Sequence, residues 1–369
     1  MAQIVQITAS HPRTDARIFL KECRGLAQLG YPVTLLVADG QGTEVLDGVR
    51  IESVRKARGR LSRMVLGPFR LFRKAVRLRA AVYHLHDPEL IPMGLALKLS
   101  GAKVVFDSHE DLPKQILAKS YIPAPLRAFA AGLAYAFQRA ALPWFDGVVA
   151  ATPPIRAFLL PMNKNTVNIN NFPILGELAQ ATPRQPTGQS ICYIGLLSQT
   201  RGILELVDAM ALLPEGVDLL LAGPVESASF FASLQTREGW VRTRYLGNLG
   251  REGVRDTLAR SLVGMVTLHP TPNHLEAFAI KMFEYMSAGL PVIASDFPLW
   301  RSIIGEASCG LCVDPLDPRA IADAIADLLA RPEQARTMGR NGQQAVLDRY
   351  NWQSEAVKLG DFYHSLLNP

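Results

Sequence analysis

The sequence predicts an α/β protein of two doubly wound halves, each a parallel sheet with helices on both faces. Three observations predict it. Short apolar runs alternate with helix-length amphipathic segments along nearly all of the 369 residues. Glycine stands where helical segments end, as at Gly30 and Gly101. The rhythm lapses once, where ILGELAQATPRQPTGQS crowds Pro, Gly, Gln and Thr together over residues 174–190, and then resumes.

In the first half, QIVQITA reads as a buried strand and DARIFLKECRGLAQLG as a helix closed by Gly30. YPVTLLVAD is a second strand, and AVYHLHD a third that ends in polar residues. ELIPMGLALKLSG is a helix, AKVVFDSHED a strand, and FDGVVAAT the last strand of the series. After the lapse come the strand SICYIGLL, the helix ILELVDAMALLP, and the strands VDLLLAGP and VRTRYLGNL. The helix EGVRDTLARS, the strand VGMVTLHP, a helix across HLEAFAIKMFEYMSAG and the strand PVIASD follow. This places a first domain at 1–175, a linker at 176–190 and a second domain at 191–350. A helical tail at 351–369 is free to pack on either.

Composition narrows the class. Apolar residues make up 49% and charged residues 20%, a soluble globular balance, and the length suits two cores better than one. No apolar run reaches the roughly 18 residues of a membrane span. MAQIVQITASHPRTD has no basic start ahead of a long apolar stretch. The expected location is cytoplasmic. Of the four cysteines, Cys23, Cys192, Cys309 and Cys312, the last two form a lone CGLC. Without a second pair or nearby histidines they read as ordinary thiols in a turn and a strand.

Charge is uneven. Residues 1–180 hold 23 Lys/Arg and 13 Asp/Glu, residues 181–369 hold 16 and 20. The first half therefore faces something anionic. Its basic residues concentrate in RKARGRLSRMVLGPFRLFRKAVRLR, residues 55–79, with ten Lys/Arg and no acid. Apolar residues at 65, 69, 72 and 76 form a helical stripe among them. A cationic helix with Phe and Leu on one side suits an anionic membrane surface. The segment lacks stacking aromatics and any recognition motif for nucleic acid, so none is expected as a partner.

In open α/β sheets, ligands bind beyond the carboxyl ends of strands. The polar strand ends are Thr8–Asp15, His86–Glu89, Asp107–Asp111, Gly195–Gly202, Gly223, Gly247, His269–Glu276 and Ser295–Asp296. Glu276 and Glu284 stand out because they interrupt an apolar segment. On one continuous helix they are about 12 Å apart along the axis and about 80° apart around it. The two carboxylates of a glycosidase sit closer, at roughly 5–9.5 Å. The wider spacing suits two ends of an extended ligand, with hydroxyls for the carboxylates and helix-start N–H groups for a phosphate.

The stretch EAFAIKMFEYMSAGLPVIAS resembles the hallmark of the retaining nucleotide-sugar glycosyltransferases of family 4: a Glu, seven residues, and a second Glu that opens E-Y-M-A-x-G-x-P-V-I-A-S. Only Ser287 departs in the tail. The overall layout matches along nearly the whole chain. The resemblance implies the GT-B fold, two Rossmann-like domains facing each other across a cleft, with the acceptor bound by the first and the nucleotide sugar by the second. It implies that Glu276 orients sugar hydroxyls, that the backbone of Ala277, Phe278 and Ala279 lies along sugar and diphosphate, and that Glu284 holds the ribose. YIGLLSQTRGI resembles the diphosphate turn beginning at Gly195, with Arg201 in place of the usual Lys. Lys281 adds charge, and Gly247–Leu249 contact the base through backbone. His109, in DSHED, takes the position of the histidine that points toward the reacting sugar. Glu276, His109 and Arg201 are then the catalytic set. Asp15, His86 and Glu110 are acceptor-side candidates, with Asp15 alternatively an N-cap. HDPEL and DSHED resemble enzymes of bacterial surface-polysaccharide assembly.

Two departures stand against the family pattern: SHPRTDARIF has no glycine pair, and Leu196 replaces the arginine often found after the first glycine of the turn. The chemistry implied is sugar transfer with retention from a UDP- or GDP-linked donor to a glycan or polyprenyl-linked acceptor, on the inner face of the cytoplasmic membrane. No Asp-x-Asp stands at a strand end, so neither a metal nor a cofactor is expected. The alternative is a nonhydrolysing sugar-nucleotide epimerase, which also pairs two such domains.

Overall fold

A computed structural model describes residues 2–56, 59–117, 122–178 and 188–368, without the side chains of 60–65. It divides into two units, Met1–Asn171 with Trp352–Pro369, and Phe172–Asn351.

The first unit holds eight strands: β1 Ile4–Thr8, β2 Val33–Val37, β3 Glu44–Leu46, β4 Val49–Ser53, β5 Val82–Leu85, β6 Lys103–Ser108, β7 Gly147–Ala150 and β8 Thr166–Asn168. Their order is β3-β4-β2-β1-β5-β6-β7-β8, parallel except for β3. The central strands are buried along their length, which is why they read as continuous apolar runs. From β4 onward each crossover moves the same way along the sheet. Right-handed connections therefore put the helices Arg60–Leu78, Ile91–Leu99 and Ala124–Ala141 on one face. The connection from β1 to β2 moves the other way. It begins as a π-helix, Ile18–Cys23, and continues as Arg24–Gln28 on the opposite face.

The C-terminal helix Trp352–Leu367 packs on that opposite face. Leu359, Phe362, Tyr363 and Leu366 are buried, and Glu355 accepts hydrogen bonds from the backbone and side chain of Asn170. The last helix thus completes the first unit.

The second unit holds β9 Gln189–Ile194, β10 Val217–Ala222, β11 Thr243–Tyr245, β12 Ser261–Val266, β13 Val292–Ser295 and β14 Gly310–Val313. They run in the order β11-β10-β9-β12-β13-β14, all parallel. One core cluster covers each face, one around Phe283 and Trp300, the other around Ile203, Leu206 and Ile325. Phe172 already packs on Phe278, Phe283 and Tyr350. The crossing between units therefore comes at Asn171–Phe172, earlier than the linker expected at 176–190. Residues 179–187 of that linker lie outside the described residues.

The basic segment forms the helix Arg60–Leu78, with residues 57 and 58 outside the described residues. Leu71 and Ala75 face the core, whereas Leu66, Phe69 and Val76 are exposed and Phe72 is half-buried. Cys309 and Cys312 are free thiols, each pushed up to about 11 by burial.

Candidate functional site

In the second unit β9, β10 and β11 lie side by side; Gly195 and Gly223 directly follow the first two, and Gly247 comes two residues after β11. Gly195 N–H donates to Ala222 O at 2.8 Å, and Gly223 N–H to Gly247 O at 2.8 Å. At Gly223, with φ +131°, a Cβ would stand 2.1 Å from Gly195 O. Backbone therefore packs directly on backbone between these strand ends, at the carboxyl edge where ligands bind in open sheets. The chain then passes through the short turn Gln199–Arg201 to Gly202, and the helix Ile203–Ala211 begins. Arg201 sits at the end of the turn, as the sequence suggests.

Lys281 lies in the first turn of the helix Ile280–Ser287. Its Nζ stands 3.6 Å from the centre of the Tyr193 ring and 2.7 Å from where a Cβ on Gly195 would be. The stem is partly exposed but Nζ is buried, without a hydrogen-bond partner among the described residues. Burial, then the charge of Arg201, hold this amine well below the ordinary lysine range. A buried cation without an oxygen partner has lost its hydration uncompensated. A diphosphate at the glycine-lined strand ends would supply those oxygens.

Glu276 and Glu284 do not share a helix. The turn Pro272–Leu275 ends at Glu276, the backbone is extended at Ala279 (φ −74°, ψ 99°), and the helix proper starts at Ile280. The geometry of about 12 Å and about 80° on one helix therefore does not apply. Two tertiary contacts hold the break. Trp300 Nε1 donates to Ala277 O at 2.8 Å, and Phe278 turns in against Phe172 and Phe283. Ala277, Phe278 and Ala279 thus lie in the break between the two helical pieces, where the resemblance puts backbone along sugar and diphosphate. Glu276 is exposed. Glu284 is half-buried and paired with Arg251 at 2.9 Å, which also holds Glu177 at 2.6 Å. Tyr285 fixes this helix to the sheet, its hydroxyl accepting Ile194 N–H at 2.9 Å.

In the first unit, histidines and carboxylates gather near the carboxyl ends of β1, β5 and β6. His84 and His86, two apart, point to one face of the sheet and stack at 4.7 Å. Asp107 Oδ2 stands 3.2 Å from His109 Nε2 and 3.4 Å from His86 Nδ1. Arg17 binds the same carboxylate bidentately, at 2.9 and 3.0 Å, and gives its other nitrogen to Ile169 O. His86 Nε2 bonds to Gln6 Oε1. Its Nδ1 stands 3.3 Å from His109 Nε2, which is hydrogen-bonded to Asp107 Oδ2 at 3.2 Å. His109 is the outermost of the group, with its side chain 22% exposed.

Charges here are set by burial. Burial alone would raise Asp107, but Arg17 and His109 hold it well below the usual carboxylate range. Glu22 is the opposite case: burial and then the Asp107 charge push it well above. Arg17 Nε lies 3.1 Å from Glu22, but its hydrogens are aimed at Asp107, leaving both Glu22 oxygens without a hydrogen bond among the described residues. Burial also lowers His84 and His86. Glu22, His84, His86 and Asp107 bring ligand atoms within 4.8 Å of one another, a donor set a metal could use. In this structure Arg17, Gln6 and Tyr363 take up Asp107, His86 and His84 instead.

The acceptor-side candidates separate. His86 joins the cluster. Asp15 is an N-cap: its Oδ1 accepts Arg17 N–H and Ile18 N–H at 2.9 Å each. Those bonds and His11 overcome burial and lower its pKa. Glu110 is exposed. Asp87, in HDPEL, ties down the loop after β1 by accepting from Thr8 Oγ1 and Ala9 N–H. That loop, Ala9–Thr14, borders a cavity of about 490 Å³ shared with Asp39, Lys56 and Gly67. Sequence reasoning missed Arg17 and Glu22, and it treated Asp107 only as a strand end. The available signal was charge inside the apolar helix ARIFLKEC.

The family model described as Glycosyl transferases group 1 matches residues 177–345, and that of the Glycosyl transferase 4-like domain matches 16–168. The chain is 25% identical over 302 residues to a phosphatidyl-myo-inositol mannosyltransferase of Mycobacterium leprae, covering 77% of this chain and 73% of that one. It is 29% identical over 152 residues to the D-rhamnosyltransferase WbpZ of Pseudomonas aeruginosa, but spans only 39% of that protein. Sucrose-phosphate synthase from Thermosynechococcus elongatus superposes with a TM-score of 0.79 at 21% identity, over 100% of both chains. Anabaena Alr3699/HepE in complex with UDP and glucose superposes at 0.75 and 15% identity, over 99% of this chain and 100% of that one. At such identities the structural likeness shows the fold.

Proposed function

Because this chain belongs to the glycosyltransferases of family 4 type with the GT-B fold, we propose that it moves a sugar, with retention, from a UDP- or GDP-linked donor to a glycan or polyprenyl-linked acceptor. One observation carries the donor half: the buried amine of Lys281, without an oxygen partner among the described residues, beside the glycine-lined strand ends. Arg201 adds a guanidinium able to take two phosphate oxygens. Fixed cations aimed at the leaving diphosphate are the largest catalytic contribution such a site offers, and they do so without a metal. Glu276 orients sugar hydroxyls and Glu284 the ribose. The role of His109 rests on the resemblance, and the departing phosphate takes the acceptor proton. UDP in the Anabaena protein makes UDP the first nucleotide to test.

The acceptor half rests on the first unit. Its cavity after β1 reaches Gly67 of the basic helix, so a lipid-anchored acceptor held at a membrane would meet both. The lipid named for the mycobacterial mannosyltransferase supports that class, and assembly of surface polysaccharide fits it. No described helix is long and apolar enough to cross a membrane. The helix Arg60–Leu78 attaches the protein to the anionic inner face instead.

The test has two parts. A thermal-shift panel of UDP and GDP should give stabilisation by one of them that Lys281→Met removes. The purified protein with the matching nucleotide sugars and lipid-linked acceptors should yield a product whose anomeric configuration, read by NMR, equals the donor's. Inversion would refute retention, and no stabilisation by either nucleotide would refute the donor site.

A further inference from the structure

The helix Ala124–Ala141 gives little to the core: only Ala131, Gln138 and Ala141 are buried. Leu126, Phe129, Leu133 and Phe137 are exposed, Phe129 to 67%. At about 100° per residue these four fall within about 80° of one another, while Ala131 and Gln138 lie on another side. Just beyond the helix, Trp144 is 69% exposed. Single exposed apolar residues are ordinary, but a contiguous stripe ending in Trp marks a contact surface.

Charge identifies what the surface contacts. Residues 112–145 hold Lys114, Lys119, Arg127 and Arg139 and no Asp or Glu; Lys119 lies outside the described residues. Residues 53–86, which contain the basic helix Arg60–Leu78, hold ten Lys/Arg and likewise no acid. The helix Ile91–Leu99 packs between these two helices, on the same face of the sheet. One face of the first unit thus presents a basic helix and an apolar helix, each from acid-free sequence. Anionic headgroups over acyl chains match that pairing.

We infer that Leu126, Phe129, Leu133, Phe137 and Trp144 insert into the acyl boundary of an anionic bilayer. This rests on the membrane-side function proposed for the basic helix, and adds an inserted element to an adsorbed one. Adsorption through Lys and Arg alone is screened by salt; an inserted stripe holds when salt rises.

Trp144 reports the event directly, since Trp300 and Trp352 are buried and Trp240 lies in the second unit. The full chain is mixed with vesicles of phosphatidylcholine, alone or with phosphatidylglycerol, carrying bromine on the acyl chains. Bromine should quench emission in the mixed vesicles, and Trp144→Phe should remove that quenching. Phe129→Glu with Leu133→Glu, at exposed sites, should keep the melting temperature. The pair should lose the quenching, weaken partitioning by about tenfold or more and make the remaining binding fully reversible by salt. If the wild-type chain binds the mixed vesicles without quenching, insertion is refuted and adsorption stands. Absence of binding refutes both. A wild-type dimer that the paired variant merely splits, with vesicle binding unchanged, would make the stripe a contact between copies and overturn the inference.

Discussion

Lys281 holds its ammonium 3.6 Å from the centre of the Tyr193 ring, with no hydrogen-bond acceptor among the described residues. Tyr193 is the penultimate residue of β9, and Lys281 opens the helix that Tyr285 anchors to the same strand. The ring returns about 0.5–2 kcal/mol to the cation, less than full hydration would. That return does not make up for burial, so the amine holds its proton poorly until an anion joins it.

Lys281→Met is therefore expected to weaken nucleoside diphosphate binding by about 1.5–3 kcal/mol, the value of a charged hydrogen bond. The pH dependence has a definite sign. The amine is held well below the ordinary lysine range in the free protein, and phosphate raises it. Binding then takes up a proton, and affinity falls as pH rises through the free-state pKa. Calorimetry in two buffers of different ionisation enthalpy measures that uptake, and the Met variant should show none.

Glu276→Ala and Arg201→Ala should each lower kcat by about a hundredfold or more with little change in melting temperature. Glu276 is exposed and Arg201 only half-buried. Glu284→Ala should act mainly on the donor KM. Wild-type turnover in the first two variants would remove them from the site.

Glu22→Gln should stabilise the protein increasingly as pH rises. The folded-state pKa of Glu22 is well above its usual range, so the folded protein binds its proton more tightly than the unfolded chain does. Its contribution is whole below about pH 4.3, the unfolded value, and is lost as pH rises through the folded one. Gln carries no such loss. Melting temperatures of variant and wild type should agree near pH 4 and diverge as pH rises above it.

Asp107→Asn tests the same cluster from the other side. Asp107 is held well below its usual range, so it stabilises above about pH 3.9 and loses that contribution on acidification. At neutral pH the substitution leaves Arg17 buried without its carboxylate, a cost of about 3–5 kcal/mol, measurable by urea unfolding.

Gly202→Ala and Gly247→Ala separate two costs. Both positions have nearly the same positive φ, +70° and +69°. A Cβ at Gly202 would stand 1.8 Å from Thr267 O, whereas one at Gly247 meets nothing within 4 Å. Gly247→Ala should cost about 1–2 kcal/mol from backbone conformation alone. Gly202→Ala should cost clearly more, and thermal melts of the two should differ accordingly.

Most strands were legible because strands buried on both faces are unbroken apolar runs. The β3–β4 hairpin escaped, since its outer strand is three exposed residues. Its signal was nevertheless present in Asp47-Gly48, both with positive φ. The helix across Glu276–Glu284 failed for a different reason. Periodicity suggested a continuous turn, but Trp300, 23 residues on, takes the Ala277 carbonyl. Sequence spacing carries no trace of such a contact. The buried cluster was least legible, because Arg17 and its partner Asp107 are 90 residues apart. The strand-end placement of Gly195, Arg201, Gly247 and His109 needed only the rule that ligands meet carboxyl ends.

The return of the last helix has a consequence for biosynthesis. Tyr363 meets His84 from 279 positions away. Translation therefore delivers every residue of Phe172–Asn351 before the piece that closes the half made first. That early half must wait, with His84 uncovered, until Tyr363 has been made. A chain cut short just before Trp352 would leave the second unit whole and the first one permanently unfinished.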